Sequence, residues 1–459
     1  MPNREQALAF AHENRARFLE DLKAICAIPS ISTSAEYKDE VRRAAEWVAA
    51  HMQKIGLENV SVMDTPGHPV VYGEWLHAGA DAPTVLVYGH YDVQPADPLD
   101  LWETPPFEPT VRGERIYARG ATDMKGQVMA SLDAAEAVLR SGGAPVNLKF
   151  FIEGEEEVGS LHLGKFIADH KDLLSCDVAL NPDTGMLAPD IPTITYALRG
   201  LAYFELKVYG PKSDLHSGVF GGVVHNPAQV ICELIAGMHD ADGRVTLPGF
   251  YDKVLPLEEA ERAELARLPM TEAFYLEKSG APALWGEKGY TPVERTGARP
   301  TLEINGLYSG FIGEGAKTVL PAYAMAKISC RLVPNQDPAD VEGQVRAYLE
   351  ANAPKTVTWE LKSFPGAPAS LSRIDSAGVQ ALAKAQETVW GKRPVFKREG
   401  GSVPVVGDIQ NILGVDVVNT GFALPDDHLH APNESLHLPT WYKGIEALTH
   451  FFFEIGSRD

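Results

Sequence analysis

TVLVYGHYDVQP, residues 84–95, joins a strand to two side chains capable of metal chemistry. Thr84 to Tyr88 is a short apolar run of β-formers closed by Gly89, which reads as a strand entering a loop. His90 and Asp92 then sit just past the strand's end. In an extended segment residues two apart project to the same side. The Asp92 carboxylate can therefore reach one imidazole nitrogen of His90 and leave the other free for a metal. A single His-x-Asp is ordinary in a turn; it gains weight because the arrangement recurs.

Three more apolar runs end in the same way. Asn147 to Ile152 delivers Glu153, Glu155, Glu156 and Glu157; Cys176 to Leu180 delivers Asp183; Val415 to Asn419 leads to Asp426, Asp427, His428 and His430. Asp123, in ARGATDMKG, opens a helix-like stretch. Open α/β sheets place their sites outside the carboxyl ends of the strands, so residues far apart in the chain can converge there.

The chain has 459 residues, more than one core usually supports, and two domains are expected. Its 62 acidic against 41 basic residues give a net charge of −21, with no basic block to compensate, which argues against nucleic acid and anionic membrane as partners. Cys26, Cys176, Cys232 and Cys330 are isolated from one another, as suits a reducing cytoplasm. The N-terminus is charged throughout, and no run of 18 apolar residues occurs, so a soluble cytoplasmic protein is expected.

Taken in order, Leu8, Ala11, Phe18, Leu22 and Ile25 share one helical face, and Val41 to Ile55 marks a second helix ended by Gly56. Up to residue 199 strands alternate with helices. The pattern then becomes β-α-β-β-α-β: strands at 201–209, 301–308, 323–333 and 356–364, with helices opened by Asn226-Pro227 and Asp337-Pro338. This is a ferredoxin-like α+β order, interrupted between about 240 and 300 by a mainly helical insertion. From residue 365 the α/β pattern returns. The expected architecture is a mixed-sheet α/β/α catalytic domain, residues 1–199 and 365–459, carrying an inserted domain, residues 200–364.

Two divalent cations sharing one carboxylate can be built from these residues. Asp123 bridges; His90 and Asp183 complete one shell, Glu157 and His430 the other. Nitrogen and oxygen ligands with open positions suit catalytic zinc, and manganese or cobalt is accommodated too. Such a pair polarises a carbonyl and lowers the pKa of water. Glu156, beside a metal-binding Glu157, is left to move the proton.

GHYDVQP, ARGATDMKG, EGEEEVGS, NPDTG, DLHSGVFGG, GAKTVLP, RLVPNQ, REGGSVP and DDHLHAPNE resemble, in order and spacing from about residue 20 onward, the dinuclear zinc dipeptidases of the carnosinase-like kind. These lie within a wider family that includes aminoacylase and glutamate carboxypeptidase. The resemblance implies His90, Asp123, Glu157, Asp183 and His430 as ligands of two ions, Glu156 as general base and Asp92 orienting His90. It also implies a cis peptide after Asp123. His216 would cross from a partner subunit's lid to help hold the carbonyl oxyanion, so the inserted domain would make a homodimer. Arg331 would clamp the free C-terminal carboxylate of a dipeptide or short peptide, with Thr318 and the turn Gly400-Gly401-Ser402 lining that pocket. His430 is preferred to His428 because its spacing to Asn433-Glu434 matches H-x-x-N-E. Glu155 would replace Glu156 if the acidic motif slipped by one. An N-acyl or N-carbamoyl amino acid hydrolase with the same centre is the alternative reading. A non-catalytic binding protein would be expected to lose the base, which this chain keeps.

Overall fold

The computed structural model describes residues 2–457. The chain falls into two compact units, one formed by 1–196, 371–397 and 408–459, the other by 197–370 and 398–407.

The first unit is built on a mixed sheet whose order runs Glu58–Met63, Val70–Trp75, Asn147–Glu153, Thr84–His90, Val178–Asn181, Val417–Asn419, Thr193–Leu198. Thr84–His90 lies parallel to both of its neighbours, and Val417–Asn419 is parallel to Val178–Asn181. A strand covered on both faces needs no polar alternation, which explains why Val85, Leu86, Val87 and Tyr88 are all apolar and fully buried. The strand Val417–Asn419, from the end of the chain, inserts between two strands from its first half, so early and late segments form one sheet as expected. Helix Lys125–Arg140, buried from Lys125 to Val138, packs against Leu438–Gly456.

Gly89 does not end its strand. The strand continues to His90, which pairs with Glu153. A side chain at Gly89 would meet Val128 Cγ2 at 2.7 Å, so the glycine lets helix Lys125–Arg140 approach rather than turning the chain. The N-terminal helical face is also divided, into Arg4–Glu13 and Arg15–Cys26. Asn14 breaks it; its backbone leaves the helical region and its side chain donates to Phe10 O.

The second unit holds a four-stranded antiparallel sheet in the order Thr301–Ser309, Tyr323–Leu332, Gly200–Tyr209, Thr358–Ala367. Helices Pro227–Ala236 and Pro338–Asn352 cover one face through Val230, Ile231, Leu234, Val341, Val345 and Leu349. Both start as the sequence suggests: Asn226 and Asp337 accept from the backbone of Ala228 and Ala339, each with proline in the first turn. The segment between residues 240 and 300 is not mainly helical. It carries three short helices, Glu259–Leu265, Glu272–Ser279 and Pro292–Ala298, separated by turns rich in glycine and proline, which end each helix after about two turns.

Candidate metal centre

Three strand ends and two loops of the first unit bring five candidate ligand groups together. His90, Asp123 and Asp183 form one cluster and Asp123, Glu157 and His430 a second, with the ligand atoms of each within 4.8 Å of one another. Asp123 belongs to both. Its Oδ1 lies 3.3 Å from His90 Nε2 and its Oδ2 2.9 Å from His430 Nε2. His90 Nε2 is 4.0 Å from Asp183 Oδ2, and His430 Nε2 is 3.4 Å from Glu157 Oε2. The peptide bond between Asp123 and Met124 is cis.

Three of the five candidate ligands are held by partners outside the clusters. Asp92, fully buried, faces His90 Nδ1 at 3.3 Å, and the same ring nitrogen lies 3.1 Å from the Asp92 carbonyl oxygen. That leaves His90 Nε2 pointing into the cluster. The Asp92 carboxylate also accepts from the backbone N–H groups of Glu156 and Glu157, fixing the acidic turn. Gln94 donates to Glu157 Oε2 at 2.8 Å. Glu434 is fully buried and accepts from the N–H groups of Gly120, Thr122 and Asp123 and from Arg119 Nη1, binding the whole loop that carries Asp123. Asp427 holds the same loop through Thr122 Oγ1. Glu434 and Gln94 were not singled out as functional residues from sequence; the H-x-x-N-E spacing was the visible trace of Glu434.

The acidic run separates into different roles. Glu153 is buried and accepts from Tyr88 and Ser160 hydroxyls. Glu155 pairs with His162 Nδ1 at about 3 Å and belongs to neither ligand group. Glu156 stays beside the cluster, where the charges of His90 and Asp183 act on it. His428 is exposed and belongs to neither ligand group. His437 bonds Thr440 Oγ1.

The electrostatics fit cations. Burial and the neighbouring carboxylates push Asp183 up to about 6 and Glu157 up to about 8, and burial raises Glu156 well above the usual range. Asp123, despite burial, is held low by the bond from His430 and by the imidazole of His90 close by. His90 Nε2 is buried without a hydrogen-bond partner. A buried imidazole nitrogen left unpaired amid three converging carboxylates is the donor set of a metal site.

The remaining predicted residues lie in the second unit. Arg331 Nη1 donates to Ser402 Oγ at 2.9 Å, and Gly401 O accepts from Arg199 N. His216 is exposed, its Nδ1 accepting from Gly218 N, and it ends a two-residue strand paired with Val319–Leu320. Thr318 is its neighbour through the bond from Ser217 N to Thr318 O. The second unit thus gathers its predicted residues into two groups, Arg331 with Ser402 and Gly401, and His216 with Thr318.

Residues 86–454 match the model of peptidase family M20/M25/M40. The chain is 33% identical to the Cys-Gly metallodipeptidase dug1 of Schizosaccharomyces pombe, covering 97% of both chains. It is 31% identical to the human Beta-Ala-His dipeptidase, over 98% of this chain and 92% of that one. Its structure superposes on the M20 family metallo-carboxypeptidase Sso-CP2 from Sulfolobus solfataricus with a TM-score of 0.84 and 32% identity, over 96% of this chain and 99% of that one. With two ligand clusters meeting on one carboxylate and matches that run the length of the chain, this protein belongs to peptidase family M20/M25/M40 and is a metal-dependent peptide hydrolase.

Proposed function

We propose that the protein hydrolyses dipeptides and very short peptides with free C-termini, using two divalent ions, zinc in the first instance. The observation that carries this reading is the sharing of Asp123 between the two ligand clusters while His90 Nε2 is buried and unpaired. His90 and Asp183 would hold one ion, Glu157 and His430 the other, and Asp123 would serve both. Bound there, the ions supply Lewis acidity toward a peptide carbonyl and toward water.

The chain's own groups do the rest. Glu156 accepts the proton of the attacking water and delivers it to the leaving amine nitrogen. Asp92 fixes the ring of His90 and, through two backbone bonds, the turn bearing Glu156. Arg331, a planar fork already bonded to Ser402, clamps the substrate's C-terminal carboxylate, with Gly401 beside it. His216 serves the carbonyl oxygen in a second copy of the chain. Its exposure and the exposed apolar residues Leu307, Phe311 and Ile312 support a homodimer made by residues 200–364. Four free cysteines support a cytoplasmic setting.

The test is hydrolysis of a panel of dipeptides set against N-acetyl and N-carbamoyl amino acids. Dipeptide cleavage that stops with a chelator and returns with added zinc is expected. Cleavage confined to the N-acyl or N-carbamoyl compounds would replace this reading with an amino acid deacylase.

A further inference from the structure

The face of the second unit's sheet opposite its helices is not bare. Strand alternation sends Ile328, Cys330 and Leu332 into the helix-covered core and therefore Ser329 and Arg331 to the other side. Thr301 and Glu303, their cross-strand partners, join them there. The segment around Trp285 and helix Pro292–Ala298 walls this face to make a cleft of about 420 Å³, also lined by Arg199, Arg295 and Arg299. That is large enough for a side chain, within the range of small-molecule sites.

Its charge departs from that of the protein. Among the described residues four guanidinium groups line it against two carboxylates, Glu287 and Glu303, in a chain whose net charge is −21. The excess is concentrated on particular groups. Arg299 is neutralised by Glu287 through two bonds, at 2.7 and 2.9 Å. Arg295 donates to the carbonyl oxygens of Glu287 and Trp285, which carry no charge. Arg199 Nε bonds the carbonyl oxygen of Gly400, while its Nη1 is buried with no partner. An unpaired buried guanidinium N–H costs stability unless a ligand meets it. Burial first and then the like charge of Arg331 lower the pKa of Arg199, outweighing the opposite pull of Glu399 and Glu303, the direction expected of two guanidinium groups converging on one space.

One carboxylate can satisfy Arg331; Glu303 then offsets one of the two charges of Arg199 and Arg295, and one positive charge is left over. We infer that this cleft receives the C-terminal residue of the substrate and selects one with a second carboxylate, an aspartyl or glutamyl side chain, through Arg199 and Arg295. The inference rests on the dipeptidase reading for what the ligand is. Its anion chemistry can be measured without turnover.

The experiment uses the metal-loaded protein and titration calorimetry with L-glutamate and L-glutamine, alongside kcat/KM for Ala-Glu and Ala-Gln. Glutamate should bind about tenfold or more tightly than glutamine, the usual worth of one charge-assisted pair, and Ala-Glu should be favoured by a similar factor. Arg295→Gln and Arg199→Gln should each collapse both ratios toward one, whereas Arg199→Lys, which keeps the charge, should retain part of the preference. Unfolding midpoints identify any variant that fails to fold, and Arg295, the less enclosed of the two, gives a second route to the answer. Equal binding of glutamate and glutamine, or a preference unchanged in both Gln variants, overturns the inference. Selective glutamate binding that depends on these arginines, with no dipeptide cleaved, leaves the anion site standing and removes the dipeptidase reading instead.

Discussion

Glu434 holds Asp123 by its backbone: the buried carboxylate accepts from Asp123 N at 3.1 Å and from Thr122 N at 3.0 Å through one oxygen. The other oxygen takes Gly120 N and Arg119 Nη1. Every position around this carboxylate is a donor, so Glu434→Gln would set an amide NH₂ against an N–H group and leave Arg119 uncompensated. A loss of about 3 kcal/mol in urea unfolding is expected, with weakened metal binding because the loop bearing the shared ligand is released. Unchanged stability would show that the loop is held by something else.

Asp92 acts on two elements at once, His90 and the turn of Glu156 and Glu157. Asp92→Asn keeps the shape but removes the charge and turns one acceptor into a donor facing a backbone N–H. Metal affinity should fall about 10- to 100-fold, measured by competition with a chromophoric chelator. Saturating metal should restore only part of kcat, since the turn bearing Glu156 is disturbed as well.

Glu156→Gln cannot accept a proton. Both ions should remain bound, while kcat falls by about 100-fold or more. Metal content and turnover measured on the same preparation separate this outcome from loss of ligation, and turnover near the wild-type level would remove Glu156 from the reaction.

Stability should fall on acidification through a group whose charged neighbours, Asp21, Lys54 and Arg17, are not among the candidate metal ligands. His51, 4% exposed and stacked on Trp47, is pushed down to about 4 chiefly by burial, with Nε2 unpaired. Between its ordinary value and about 4 the unfolded chain binds a proton that the folded chain refuses. The contribution is therefore fully present above the unfolded value and is lost as pH falls through that window, to a total on the order of 3 kcal/mol. His51→Phe, which keeps the ring, should flatten the dependence of the urea midpoint on pH between 6.5 and 4; an unchanged slope would assign the acid sensitivity elsewhere.

How much of this could be read in the sequence depended on whether the signal was local. The strand of residues 84–90, the proline-started helices at Pro227 and Pro338 and the five converging ligands carry their signals within a few residues: apolar runs, caps, and a His or carboxylate just past a strand. What was misread depends on distant partners. Gly89 looked like a terminator because its reason, the approach of Val128, lies 39 positions away. Glu434 lay in plain view within H-x-x-N-E, but its donors sit more than 300 residues earlier. The stretch 240–300 had helical composition, yet Gly243, Gly249, Gly280, Gly286 and Gly289 all adopt positive φ and cut it into pieces.

Metal content per chain bears most directly on the central claim, that one carboxylate serves two cation sites. Plasma emission analysis of protein equilibrated with zinc and freed of excess should find two ions in the wild type, one in His430→Ala and essentially none in Asp123→Asn. A wild type that holds a single ion, or an Asp123→Asn variant that keeps both, would contradict it.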